Sequence, residues 1–137
     1  MTVIVDASVT MAVLDPANEH HKAVHRALRA QSSIAILDVT RSEVVGKLPH
    51  LGYREELMAD LHRLGFRVKT MGNELALAAL MLREEYSNKW FPIVDAAVVA
   101  YAMERSWQVM TVEHRWPPIE EAKIEVIGAR PAVGVGP

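Results

Sequence analysis

Apolar residues in this chain fall into short runs, separated by stretches in which they recur every three or four positions. "TVIV" at 2–5, "IAIL" at 34–37 and "QVMTV" at 108–112 are near-continuous apolar runs rich in β-branched side chains, and "FRVK" at 66–69 and "IEVI" at 124–127 are weaker versions. Runs of that length and kind predict buried strands. Between them the period lengthens and predicts helices. One covers residues 18–31, with Ala23, Val24, Ala27 and Leu28 on one face. Another covers 40–48 and is stopped by Pro49. A third covers 54–64, with Leu57, Met58, Leu61 and Leu64 inward and Gly65 as its stop. The last two cover 74–86 and 95–105. Short strands alternating with helices build one α/β domain, with a mostly parallel sheet of four to five strands and helices on both faces. The domain is expected to span 1–128, with the Gly/Pro-rich segment 129–137 as a disordered tail.

Two of these helices lack a polar face. "LALAALML" at 75–82 has no polar side chain, and 96–102 carries one hydroxyl, Tyr101. A helix that is apolar all round must be covered. A chain of 137 residues is the size of one domain. Both helices are not expected to be covered from within, so the one at 75–82 is expected to meet a second copy of the chain in a homodimer.

Composition narrows the field. Half of the residues are hydrophobic, enough for a core. Cysteine is absent, which excludes disulfides, thiolate metal sites and a cysteine nucleophile. "MTVIVDASVT" has no basic flank, and an acid interrupts its apolar run, so no signal peptide is expected. No apolar stretch reaches the ~18 residues of a membrane span. A cytoplasmic protein that does not engage membranes is the expectation. The net charge is −2, so there is no global basic footprint for nucleic acid. Any phosphate would have to be met by local cations or a bound metal.

In a parallel α/β fold the strands run one way and the helices return, so strand ends and helix starts collect at one edge, where ligands bind. Four acids map to that edge. Asp6 follows the first strand, and Glu43 lies in the first turn of the helix after the second. Asp95 opens the helix that feeds the strand at 108–112, and Glu113 follows that strand. Each also has a local reading. "TRSE" at 40–43 is a capping-box pattern. Asp95 could cap its helix, and Asp6 could form an Asx turn into a short one. Glu113 could be a solvated loop acid. Local roles do not explain why all four share an edge. Converging carboxylates repel one another, and a hard cation such as Mg²⁺ or Mn²⁺, bound through oxygen, resolves the repulsion.

The same segments resemble the PIN-domain nucleases, and within them the VapC-type toxins of type II toxin–antitoxin pairs. "VIVDASV" resembles their opening strand and first aspartate, with Ser8 at the small-hydroxyl position. "DVTRSEVV" resembles the segment that carries their glutamate, and "PIVDAAVVAYA" the aspartate that opens an Ala-rich helix. "TVEHRW" resembles their Thr-x-Asp-x-x-aromatic motif, here Thr111, Glu113 and Trp116. The resemblance runs from residue 3 to about 127. One departure is that Glu113 stands where the family usually has Asp.

The resemblance implies a Mg²⁺- or Mn²⁺-dependent endoribonuclease that cuts single-stranded RNA, with a cognate antitoxin protein as partner. Carried over residue by residue, it makes Asp6, Glu43, Asp95 and Glu113 the catalytic metal ligands. Ser8 and Thr111 become candidates for orienting a carboxylate or water. Arg41, Lys47 and Arg115 lie nearest these motifs and are candidates for RNA phosphate. His21, His25 and Arg29, with Lys22 and Arg26 beside them, form a stripe that reads as a solvated face. Two other classes stay open: a PIN-like RNA-binding module without catalysis, and a Mg²⁺-dependent phosphatase or phospho-acceptor domain. The latter chemistry wants a phosphate-binding lysine on a strand end, and none stands out. A dinucleotide-binding domain is excluded because no Gly-rich turn follows the first strand.

Overall fold

The computed structural model describes residues 2–128. Strands β1 (Thr2–Val5), β2 (Ser33–Leu37), β3 (Phe66–Lys69), β4 (Gln108–Thr111) and β5 (Lys123–Val126) form one all-parallel sheet in the order β3-β2-β1-β4-β5. Around it lie α1 (Ala7–Leu14), α2 (His21–Arg29), α3 (Asp38–Lys47), α4 (Arg54–Arg63), α5 (Asn73–Glu85) and α6 (Ile93–Arg105), with a 3-10 turn at Pro49–Leu51. The expected α/β layout is therefore present. The tail expected at 129–137 lies outside the described residues, as does Met1.

Side chains alternate across a sheet, so each strand supplies two cores. Val3, Val5, Ile34, Ile36 and Met110 pack with Val9 and Val13 of α1, Val24 and Leu28 of α2 and Leu61 of α4. Ile4, Ala35, Leu37 and Val109 join the other core, with Leu75, Ala79 and Leu82 of α5 and the small apolar residues of α6. The apolar surface of α6 is covered from within the domain. On α5 only one side is covered: Leu75, Ala79 and Leu82 are buried, whereas Leu77, Leu80 and Met81 are exposed.

Hydrophobic periodicity does not predict α1. Its sequence, "ASVTMAVL", has no polar stripe because it is covered on two sides. Val9, Ala12 and Val13 face the sheet core, while Ala7 joins a separate cluster with Val44, Val45, Leu48 and Leu57. Its last turn is closed by side chains of α2. Nδ1 of His21 donates to the carbonyl of Ala12 at 2.7 Å, and Nε2 of His25 to that of Val13 at 3.2 Å. The helix predicted over 18–31 is therefore shorter, starting at His21. His21 and His25 are half-buried clamps on α1 and not part of a solvated face; Lys22, Arg26 and Arg29 are exposed.

The capping box at 40–43 does not form. α3 starts at Asp38, directly off β2, and Thr40 is buried inside it with a hydroxyl that has no hydrogen-bond partner. Asp38 accepts from the backbone N–H of Val39 at 2.8 Å and of Met71 at 3.1 Å, which ties the helix start to the segment after β3. On α4, Leu57 and Leu61 are buried, but Met58 and Leu64, expected inward, are exposed. The helix packs against the edge strand β3, which covers a narrower stripe than a central strand would.

Candidate active site

The chain steps outward from β1 to β2 and β3, then returns to lay β4 on the other side of β1. The crevice above the ends of β1 and β4 is thus the topological switch point, where sheets of this kind bind ligands. Asp6 leaves β1 at that point and is 1% exposed. It caps α1 by accepting the N–H of Val9 at 3.0 Å. The Ser8 hydroxyl lies 2.7 and 2.9 Å from its two carboxylate oxygens, and Thr111 Oγ1, at the end of β4, donates to Oδ2 at 2.5 Å. Burial pushes the Asp6 carboxyl above its ordinary range, and these donors push it back. The two hydroxyls also accept: Ser8 Oγ from the N–H of Val112 at 3.0 Å, and Thr111 Oγ1 from that of Glu113 at 2.9 Å.

Asp95 is the third residue of α6, with Pro92 at the N-cap, so it does not cap the helix as its local reading had it. Trp116 Nε1 donates to its Oδ2 at 3.1 Å. The Asp95 carboxyl is pushed up to about 7, first by burial and then by the charge of Asp6, with further upward pushes from Glu43 and Glu113. The Trp116 hydrogen bond opposes them.

Glu43 and Glu113 differ from this pair. Glu43 lies in the second turn of α3, 3.8 Å from Lys47 Nζ. Glu113 lies just past β4, and Arg115 grips both its oxygens, Nε at 2.6 Å and Nη2 at 2.8 Å. The guanidinium holds the Glu113 carboxyl below its ordinary range. Two of the three candidate phosphate-binding cations therefore pair with candidate metal ligands. The third, Arg41, lines a groove of about 800 Å³ between α3 and α4 that includes none of the four acids, and its buried Nε has no hydrogen-bond partner.

As the side chains stand, no three His, Asp or Glu among the described residues are grouped to hold a metal ion. The chemistry of the donors nonetheless fits a hard divalent cation. They offer oxygen only, and Asp95 carries repulsion from Asp6, Glu43 and Glu113 that a cation would relieve. Glu43 is paired with Lys47 and Glu113 with Arg115, so each shares its carboxylate with a cation as it stands. The role of Trp116 as donor to Asp95 was not read from the sequence. Its signal is the aromatic position of "TVEHRW".

A family model for the PIN domain matches residues 3–121. The chain belongs to the PIN domain family. No curated protein sequence matches it significantly. Among solved structures, the PIN domain is similar to a toxin–antitoxin complex from Klebsiella pneumoniae, at TM-score 0.71 and 19% identity over 88% of this chain and 94% of that one. It is similar to Mycobacterium tuberculosis VapC20, a toxin that cleaves the sarcin–ricin loop, at TM-score 0.67 and 19% identity over 78% and 86%. VapBC2 from Rickettsia felis, bound to a promoter DNA fragment, aligns at TM-score 0.67 and 15% identity over 91% and 98%. At these identities the likeness establishes the fold.

Proposed function

We propose that this PIN domain is a Mg²⁺- or Mn²⁺-dependent endoribonuclease that hydrolyses phosphodiesters in single-stranded RNA, and the toxin of a toxin–antitoxin pair. The observation that carries the reading is Asp95, half-buried in the first turn of α6, held by Trp116 and pushed up to about 7 by partial burial and by the charges of Asp6, Glu43 and Glu113. Asp6 and Asp95 form the heart of the metal site, and Glu43 and Glu113 complete it. When bound there, a divalent cation offsets charge on the phosphate and lowers the pKa of a coordinated water. The remaining work belongs to the chain. Ser8 and Thr111 fix the oxygens of Asp6, and Trp116 fixes Asp95. Lys47 and Arg115, freed from their carboxylates, meet RNA phosphate, and Arg41 adds a cation on α3.

The activity of VapC20 and the complexes from Klebsiella and Rickettsia support an RNA substrate and an antitoxin partner. The exposed Leu77, Leu80 and Met81 on α5 support a homodimer. A cytoplasmic location follows from an RNA substrate, and no helix among the described residues is long and apolar enough to cross a membrane. The rival reading is an RNA-binding module without catalysis, favoured by the Arg115 grip on Glu113. Cleavage of mixed single-stranded RNAs in Mn²⁺, with an EDTA control, separates the two. Wild type is expected to cut and to stop in EDTA, and Asp6→Asn and Asp95→Asn to lose orders of magnitude. Cutting that survives in EDTA or in either variant overturns the nuclease assignment.

A further inference from the structure

Trp90 belongs to neither core. It is 39% exposed, on the segment between α5 and α6. The segment is held in place. The backbone N–H of Trp90 donates to Asn88 Oδ1 at 2.7 Å, Asn88 Nδ2 donates to the carbonyl of Arg115 at 3.3 Å, and Arg83 Nε donates to that of Phe91 at 2.9 Å. Two cations flank the ring: the Arg115 guanidinium carbon is 3.7 Å from the ring centroid, and Lys89 Nζ is 5.0 Å away. Two chains of contact lead from here to the acids. Arg115 grips Glu113, and Phe91 meets Trp116 edge-on at 5.5 Å while Trp116 donates to Asp95. A part-exposed indole with two cations over it, joined through Arg115 to the acid edge, matches what an unpaired nucleotide offers: a base to take the guanidinium's place on the ring and a flanking phosphate for the cations.

We propose that Trp90 is a nucleobase platform, on which an unpaired base of the RNA strand stacks while Lys89 and Arg115 take the adjacent phosphates. This rests on the nuclease reading for its substrate class, but it concerns binding and not cutting. The base displaces the guanidinium from the indole, and Arg115 is thereby drawn from Glu113 toward phosphate. Engagement of the strand and release of the fourth acid then become one event.

The test is fluorescence anisotropy in EDTA, with the full chain and two labelled probes of equal length: a single-stranded RNA oligonucleotide and an abasic phosphodiester oligomer. Trp90→Ala is expected to weaken binding of the base-bearing probe roughly 5- to 100-fold and to leave the abasic probe unchanged. Trp90→Phe is expected to keep most of the affinity, since it keeps a π-face. Thermal melts of both variants control for folding. If Trp90→Ala binds RNA as wild type does, or loses both probes equally, or if wild type binds neither probe, the platform is overturned. The first of these outcomes is also the one expected if the indole serves a protein partner instead. Because cleavage is not the readout, RNA cutting without Trp90-dependent binding leaves the nuclease reading standing alone. Trp90-dependent binding without cutting leaves the platform standing alone.

Discussion

Asp6, buried, and Asp95, half-buried, are both carboxyls pushed above their ordinary value, yet their amides should behave in opposite ways. Asp95 accepts one hydrogen bond, from Trp116, and its carboxyl is raised from 3.8 to about 7. In the unfolded chain it loses its proton near the ordinary value. Between about 4 and about 7 the folded state therefore holds more protons than the unfolded one, and stability falls as pH rises through that window. Asp95→Asn removes this loss. In EDTA it should melt with wild type near pH 4 and above it at pH 8, as read by circular dichroism; equal melting at pH 8 would falsify the buried repulsion. Asp6 instead accepts from Ser8, Val9 and Thr111. An amide there sets an NH₂ against donors, and an unsatisfied buried group costs about 1–3 kcal/mol. Asp6→Asn should therefore melt below wild type at pH 8. The places of Asp6 and Glu113 past strand ends and of Asp95 at a helix start were legible in the sequence, whereas Glu43 sits one turn further into its helix than expected, because α3 starts at Asp38. The grip of Arg115 on Glu113 was not legible, since it is a rotamer choice in an irregular segment past β4, whereas the Glu43–Lys47 pair follows from its i,i+4 spacing on α3.

Among the elements, the buried strands announced themselves, because a fully covered strand is a continuous apolar run. α1 did not, since coverage on two sides erases the polar stripe that marks a helix. It is specified instead by its ends: Asp6 at one, and His21 and His25 at the other. His21→Ala removes a donor from the carbonyl of Ala12. It should cost about 1 kcal/mol, or roughly 2–4 °C in melting temperature. An unchanged melt would show that the last turn of α1 holds itself. The start of α3 was hidden for a different reason. Asp38 outcompetes the Thr40 box by reaching Met71, 33 residues away, which no local window of sequence contains.

At the scale of the molecule, the acid edge and the exposed face of α5 make separate predictions. A metal that binds only the folded state adds RT ln(1 + [M]/Kd), about 1.4 kcal/mol at ten times Kd. That is roughly 3–6 °C for a domain of this size. Millimolar Mn²⁺ should therefore raise the melting temperature of wild type and raise that of Asp95→Asn by less. No rise in wild type would mean that these carboxyls serve the fold alone. If Leu77, Leu80 and Met81 meet a second copy, light scattering should show a dimer of the wild type at tens of micromolar. Leu80→Glu should then convert it to monomer, because the interface would bury a charge. A monomeric wild type rules that contact out.

The hydrogen bond between Thr111 and Asp6 joins residues 105 positions apart. A ribosome delivers the N-terminus first. A nascent chain that has emerged only as far as Arg105 carries β1 with β2 but without β4, its other neighbour, and the first acid with Ser8 but without the Thr111 hydroxyl. Three of the four acids are then made, and Glu113 is not. A chain able to cut RNA would be dangerous while still attached to the machine that reads it. On the nuclease reading, this topology withholds competence until β4 and the residues just past it have been added.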